Sequence, residues 1–230
     1  MSEPDVRGGV CRYCKGNFSK RGITKHIKAC DERNNDINIR SESEGQPIFL
    51  LRLQSQFRPM YWMFLDIKAK TTLEDIDQFL RDKWLECCGH LSKFEIKDNV
   101  FESHPGPDPR TGEERPSMDV KVGELFEPGL PIYYTYDYGS YTKLGIEVIE
   151  KYSGHMHKDI RLAAQNLEPG FECENCGEPA TEVLATGTNP QLETYCKDCM
   201  EASERKNLKF HPLCNSPRTG ICGYIGETEE

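Results

Sequence analysis

A chain of 230 residues with 37% hydrophobic and 29% charged content is long enough for one ordinary domain with smaller appendages, and too polar for every segment to pack in a core. Its net charge of −9 excludes generic coating of nucleic acid by the whole surface. That charge is uneven: seven Lys/Arg and no Asp/Glu lie between Arg7 and Cys30, a local +7 that leaves −16 for the remainder. The opening MSEPDVRGG carries no apolar core, so no secretory signal is expected, and no run approaches the roughly 18 apolar residues of a membrane span. A reducing, cytoplasmic setting is therefore expected, where clustered cysteines, of the eleven present, bind metal more often than they pair.

The first element is CRYCKGNFSKRGITKHIKAC, with Cys11, Cys14, His26 and Cys30 in the order of a CxxC knuckle followed by H-x3-C. Zinc takes four such ligands at tetrahedral corners, and the four-residue step from His26 to Cys30 puts both on one helical face. Phe18 and Ile23 supply the apolar cover, and so short a fold depends on its metal for stability. The reading is a basic CCHC-type zinc finger over residues 1–33. Lys15, Lys20, Arg21, Lys25 and Lys28 are candidate contacts to DNA or RNA phosphates. The bland alternative is a solvated basic face or a protein-binding clip.

Residues 34–46 are polar and read as a linker. An α+β domain is expected over 47–168, its sheet mixed or antiparallel and its helices on one face. IFLLRLQ and MYWMFLDI read as paired strands, and KTTLEDIDQFLRDKWLECCGH as a helix opened by a Thr72/Asp75 capping box. Along that helix Ile76, Phe79, Leu80, Trp84 and Cys87 recur at helical spacing, and Gly89 suits its stop. Cys87 and Cys88 read most simply as small buried residues. LSKFEI and NVFES follow as strands, then a Pro/Gly-rich loop and a short helix at VGELF. PIYYTYDYGSYTKLGIEVIEKYSG reads as a hairpin turning at Gly139-Ser140. Its tyrosines could stack unpaired bases where exposed, though alternation sends one face to the core.

The second cluster is Cys173, Cys176, Cys196 and Cys199, two CxxC knuckles separated by 19 residues. This is a strong signal for structural zinc, and four cysteines leave no coordination position open. ATEVLAT and QLETY read as strands around a TGTNP turn, and MEASERKNLKF as a helix, giving a treble-clef or ribbon-like module over 169–210. Two Zn2+ ions are thus expected. In the tail, 211–230, Cys214 and Cys222 with His211 could form a third site, although C-x7-C lacks knuckle geometry. Arg218 either docks onto the central domain or binds an anion.

Residues Ile48 to Asn166 resemble the pRiA4b plasmid open-reading-frame-three-like family, related to passenger proteins of insertion elements. The resemblance rests on Thr72, Leu73, Trp84, His90, Leu91, Phe94 and Ile96, and on Tyr134, Tyr136, Asp137, Tyr138 and Gly139, which match its Y-x-Y-D-[FY]-G element. The tail NSPRTGICGYIG looks like the ending of its longer members. Where the family commonly carries Asp and then Trp after that glycine, this chain has Ser140 and Tyr141. The resemblance implies an α+β fold and a link to plasmids or mobile elements, and brings no established activity.

His90, Tyr136, Asp137 and Tyr138 form the one constellation suggestive of a pocket, where a His–Asp pair would do acid–base work if the two meet. More often such residues fix a turn. His155 and His157, two apart, are a possible metal pair. No P-loop, dinucleotide fingerprint, nucleophile elbow or HExxH is present. The leading expectation is a non-enzymatic, zinc-binding, nucleic-acid-associated or regulatory protein. A protein-interaction scaffold with purely structural zinc sites is second, and an enzyme using His90 and Asp137 third. A protein partner, its own twin included, is compatible with the first two; a membrane is with none.

Overall fold

The computed structural model describes residues 8–38, 45–108, 110–185, 191–204 and 207–227. In chain order the elements are β1 (Gly8–Cys11), β2 (Asn17–Ser19), α1 (Lys20–Ala29), α2 (Asp31–Ile37), β3 (Gln46–Ser55), β4 (Trp62–Lys68), α3 (Leu73–Leu80), β5 (Ser92–Ile96), β6 (Asn99–Glu102), α4 (Val122–Leu125), β7 (Pro131–Tyr136), β8 (Thr142–Gly154), β9 (Ile160–Asn166), β10 (Glu182–Leu184), β11 (Thr194–Tyr195), α5 (Lys197–Ala202) and β12 (Phe210–Pro212). A nine-stranded sheet has the order β2-β1-β9-β4-β3-β8-β7-β5-β6, and a three-stranded sheet the order β11-β10-β12. Every pairing between these strands is antiparallel, so the expected α+β class holds. None of the helices among the described residues is long and apolar enough to cross a membrane.

Strand alternation divides the core. Phe49, Leu51, Leu53, Met63, Leu65 and Ile67 point to one face, where they meet Leu73, Ile76, Leu80 and Trp84. Their neighbours Leu50, Trp62 and Phe64 point to the other and meet Ile23 and Ile27 of α1. The central domain's own helices thus cover one face, and the N-terminal module covers part of the opposite one. α3 begins as expected: Thr72 Oγ1 accepts from the Asp75 amide at 3.1 Å, and Asp75 Oδ2 accepts from the Thr72 amide at 2.8 Å. A single π-helical turn, Arg81–Leu85, then brings the adjacent Trp84 and Leu85 both into the core.

Three local expectations are corrected. Residues 34–37 are not linker but the second half of α2, held because Arg33 and Ile37 are buried; 39–44 lie outside the described residues. The β7–β8 hairpin does not turn on two residues: Tyr136 pairs with Thr142, leaving 137–141 as the loop. Asp137 causes this, since it sits at φ 63° and its Oδ1 accepts from the Gly139 and Ser140 amides at 2.9 and 3.1 Å. The helix read over MEASERKNLKF starts earlier and stops at Ala202, and Phe210 opens a strand paired with β10. The TGTNP turn lies outside the described residues.

The N-terminal hairpin extends the main sheet, with Gly9 opposite Asn166 and Cys11 opposite Ala164. Close approach requires the glycine. A Cβ at Gly9 would lie 2.1 Å from the Trp62 ring and 2.6 Å from the Gln165 carbonyl oxygen. Gly9→Ala should therefore cost about 1–3 kcal/mol by overpacking, read as a fall in the urea midpoint.

Candidate metal centres

In the first centre the knuckle turn carries Lys15 at φ 63°, and the Cys11 amide donates to the Gly16 carbonyl. Ser19 caps α1 by accepting from the Gly22 amide at 3.1 Å. That helix delivers His26 and Cys30 to the knuckle. Cys11 and Cys30 Sγ stand 3.9 Å apart, and Cys14 Sγ stands 3.3 Å from His26 Nε2. A tetrahedral zinc with about 2.3 Å Zn–S and about 2.05 Å Zn–N bonds has S···S edges of about 3.8 Å and S···N edges of about 3.5 Å. The donor set fits zinc. Phe18 stacks on His26 at 3.6 Å between centroids, and burial lowers the imidazole below its ordinary pKa against a weaker pull from Glu32, favouring the neutral, metal-ligating form.

The second centre brings together Cys173, Cys176, Cys196 and Cys199. Cys176 and Cys196 Sγ are 3.7 Å apart, again a tetrahedral edge, and Cys196 caps α5 by accepting from the Cys199 amide at 3.5 Å. Burial alone would push the Cys173 thiol up, but the amides of Cys196, Cys176 and Asn175 hold it down at about 6. That favours the thiolate a metal needs.

The five basic residues of the first module are all exposed. Ile23 and Ile27 fix the inner face of α1, so Arg21, Lys25 and Lys28, at i, i+4 and i+7, share an outward ridge. Lys28 pairs with Glu150 at 3.3 Å, Lys15 donates to the Arg12 carbonyl and Lys20 to the Pro59 carbonyl. Among the described residues, Arg21 and Lys25 make no ion pair. Of the tyrosine run, Tyr134 and Tyr136 are buried and Tyr133 faces solvent.

The suggested pocket is partly assembled. His90 Nε2 is 3.6 Å from Asp137 Oδ2, and its ring lies edge-on to Tyr136 at 5.8 Å. Tyr138 turns elsewhere, to the Ser92 carbonyl and Glu102. Asp137 has both oxygens engaged: Oδ1 takes the loop amides and Oδ2 accepts from Arg218 Nη2 at 2.5 Å. Burial pushes its carboxyl up, but Arg218 and those amides prevail and hold it below the ordinary range. The pair closes a turn onto the tail.

The tail docks through Arg218, which is fully buried. Arg218 Nη1 donates to the Ser140 carbonyl and to Thr142 Oγ1, and the guanidinium lies 5.0 Å from the Tyr136 ring. Ser216 Oγ donates to the Trp84 carbonyl, Trp84 Nε1 donates to the Asn215 carbonyl, and Arg58 Nη1 donates to the carbonyls of Pro217 and Thr219. This docking breaks up the third site read from the tail alone. Cys214 donates to the Pro212 carbonyl, whereas Cys222 lies against Cys87, Cys88 and His90. Cys88 is exposed and Cys87 partly so, not the buried pair expected. The signal that was available is CCGH itself: two thiols and an imidazole around a glycine at a helix end. His155 and His157 join none of the three groups.

No family model matches the chain, and no curated protein matches it. Among solved structures, a protein of unknown function from Methanosarcina mazei Go1 is similar at 16% identity and a TM-score of 0.46, over 60% of this chain and 78% of that one. A likeness of that size carries no argument about function.

Proposed function

We propose that the chain is a non-enzymatic, zinc-stabilised protein that binds nucleic acid through the outward ridge of α1. Zinc at Cys11/Cys14/His26/Cys30 and at Cys173/Cys176/Cys196/Cys199 holds the two small modules. The observation that carries the reading is the ridge: Arg21, Lys25 and Lys28 are exposed side by side, and among the described residues two of the three lack an ionic partner. Lys20 and Lys15 extend it, and an acidic remainder confines binding to this strip. Kinship of the central domain with the plasmid-encoded family belongs to this reading.

Fluorescence anisotropy of the zinc-loaded protein with duplex and single-stranded DNA and RNA tests it. Affinity should fall steeply with salt, by about 0.9 in log–log slope per phosphate neutralised on duplex. Lys20→Ala/Arg21→Ala/Lys25→Ala, with zinc content unchanged, should lower that slope by about 2–3. No salt-sensitive binding by the wild type would sink the reading and favour a structural or protein-binding module.

A further inference from the structure

We infer that Cys87, Cys88, His90 and Cys222 form a third metal centre, of the soft-divalent zinc class, that clasps the tail to the end of α3. The four donor atoms lie within 4.8 Å of one another although Cys222 is far from the others in sequence. Cys88 and Cys222 Sγ are 3.7 Å apart, and Cys222 Sγ is 3.5 Å from His90 Nε2. Both match tetrahedral edges of about 3.8 and 3.5 Å, as in the two centres legible from spacing.

The surroundings are built for this. Glu86 Oε1 accepts from the Gly89 amide at 2.5 Å, Gly89 sits at φ 68°, and Arg81 Nη2 donates to the His90 carbonyl at 2.7 Å, so the CCGH loop is held curled. Cys222, at φ 54°, is brought in by the anchored Arg218 segment. Three thiolates on a dication leave a net −1. Arg218 Nη2, already paired with Asp137, also lies 3.5 Å from Cys87 Sγ, in a position with no access to water. A fixed donor to a ligand sulfur is the kind of outer-shell contact that orients a metal ligand. A dithiol pair alone would not need the imidazole aimed at Cys222.

Metal content of the full chain, purified with a thiol reductant after expression in zinc-supplemented medium, decides it. Native mass spectrometry should give three zinc ions per wild-type chain and two for Cys222→Ser and for Cys88→Ser, with an unchanged circular dichroism spectrum. Cys88 is exposed, so its variant reports even if the tail variant folds poorly. Cys214→Ser, whose thiol donates to the Pro212 carbonyl and belongs to none of the three groups, should keep three. Two ions in the wild type, three in both the Cys222 and Cys88 variants, loss of an ion in the Cys214 variant, or a Cys88–Cys222 disulfide in the isolated protein would each overturn the inference. These counts are independent of any nucleic-acid binding.

Discussion

Asp66→Ala should destabilise the protein by about 3–5 kcal/mol, the cost of leaving a buried charge without its partner. Asp66 stands on β4 and is fully buried with Arg33 of α2. Its Oδ2 accepts from Arg33 Nε at 3.0 Å and Tyr13 Oη at 2.8 Å, and its Oδ1 accepts from Arg33 Nη2 at 2.6 Å and Tyr152 Oη at 2.7 Å. Arg33 also donates to the Ile27 carbonyl and lies 4.8 Å from the Tyr152 ring. Every lone pair is used, which is the condition under which a buried ion pair holds two elements in one arrangement. Burial, and then the Asp66 charge, raise the pKa of both phenols far above their ordinary range, so they remain donors. Removing the carboxylate strands a guanidinium and two hydroxyls at once. Urea unfolding should show the loss, and the double variant Arg33→Met/Asp66→Leu should recover the part due to the stranded guanidinium but not the part due to the Tyr13 and Tyr152 hydroxyls, which still lack their acceptor. A loss below about 1 kcal/mol for Asp66→Ala would show that the module is not fastened through this pair.

Arg218→Met should cost a similar 3–5 kcal/mol and free the tail. The variant roughly keeps the volume but leaves Asp137 as a buried carboxylate held by its loop amides on Oδ1, with His90 Nε2 at 3.6 Å from Oδ2. Arg218→Lys should rescue little. A lysine is a single point charge and cannot reach Asp137 Oδ2, Thr142 Oγ1 and the Ser140 carbonyl from one rigid fork. Limited proteolysis gives the sharper readout: the wild-type segment 213–224 should resist cleavage, and the Met variant should be cut there while the sheet survives. A tail that stays protected in Arg218→Met would mean that the backbone bonds from Arg58 and Trp84 suffice.

What the sequence revealed follows from the range of each interaction. The Cys11/Cys14/His26/Cys30 and Cys173/Cys176/Cys196/Cys199 groups are local, and metal chemistry fixes their spacing. The α3 cap is local too, and so are the alternating strands. Cys222 is different: its partners sit in a loop 134 residues before it at Cys88, and no spacing rule reaches so far. The same holds for Arg33 with Asp66 and for Gly9 with Asn166. The 34–37 segment looked like linker because its polar residues outnumber the one, Ile37, that packs on Ile48 and Met156. Asp137 looked like a possible base because a turn-fixing aspartate and a catalytic one have the same letters; only Arg218 on its second oxygen separates them.

The pairing of β1 with β9 sets a schedule for the nascent chain. A metal can close around Cys11, Cys14, His26 and Cys30 soon after that stretch leaves the ribosome, yet β1, paired by then with β2, has no neighbour on its other edge until Asn166 has been made. From Cys30 to Asn166, at about 5–20 residues per second, this is a wait of roughly 7–27 s. Until it ends, Trp62 and Phe64 lack Ala163 and Ala164 of β9, which share their cluster. Early zinc loading would hold Ile23 and Ile27 in one orientation through that interval, ready for a sheet of high contact order that assembles late.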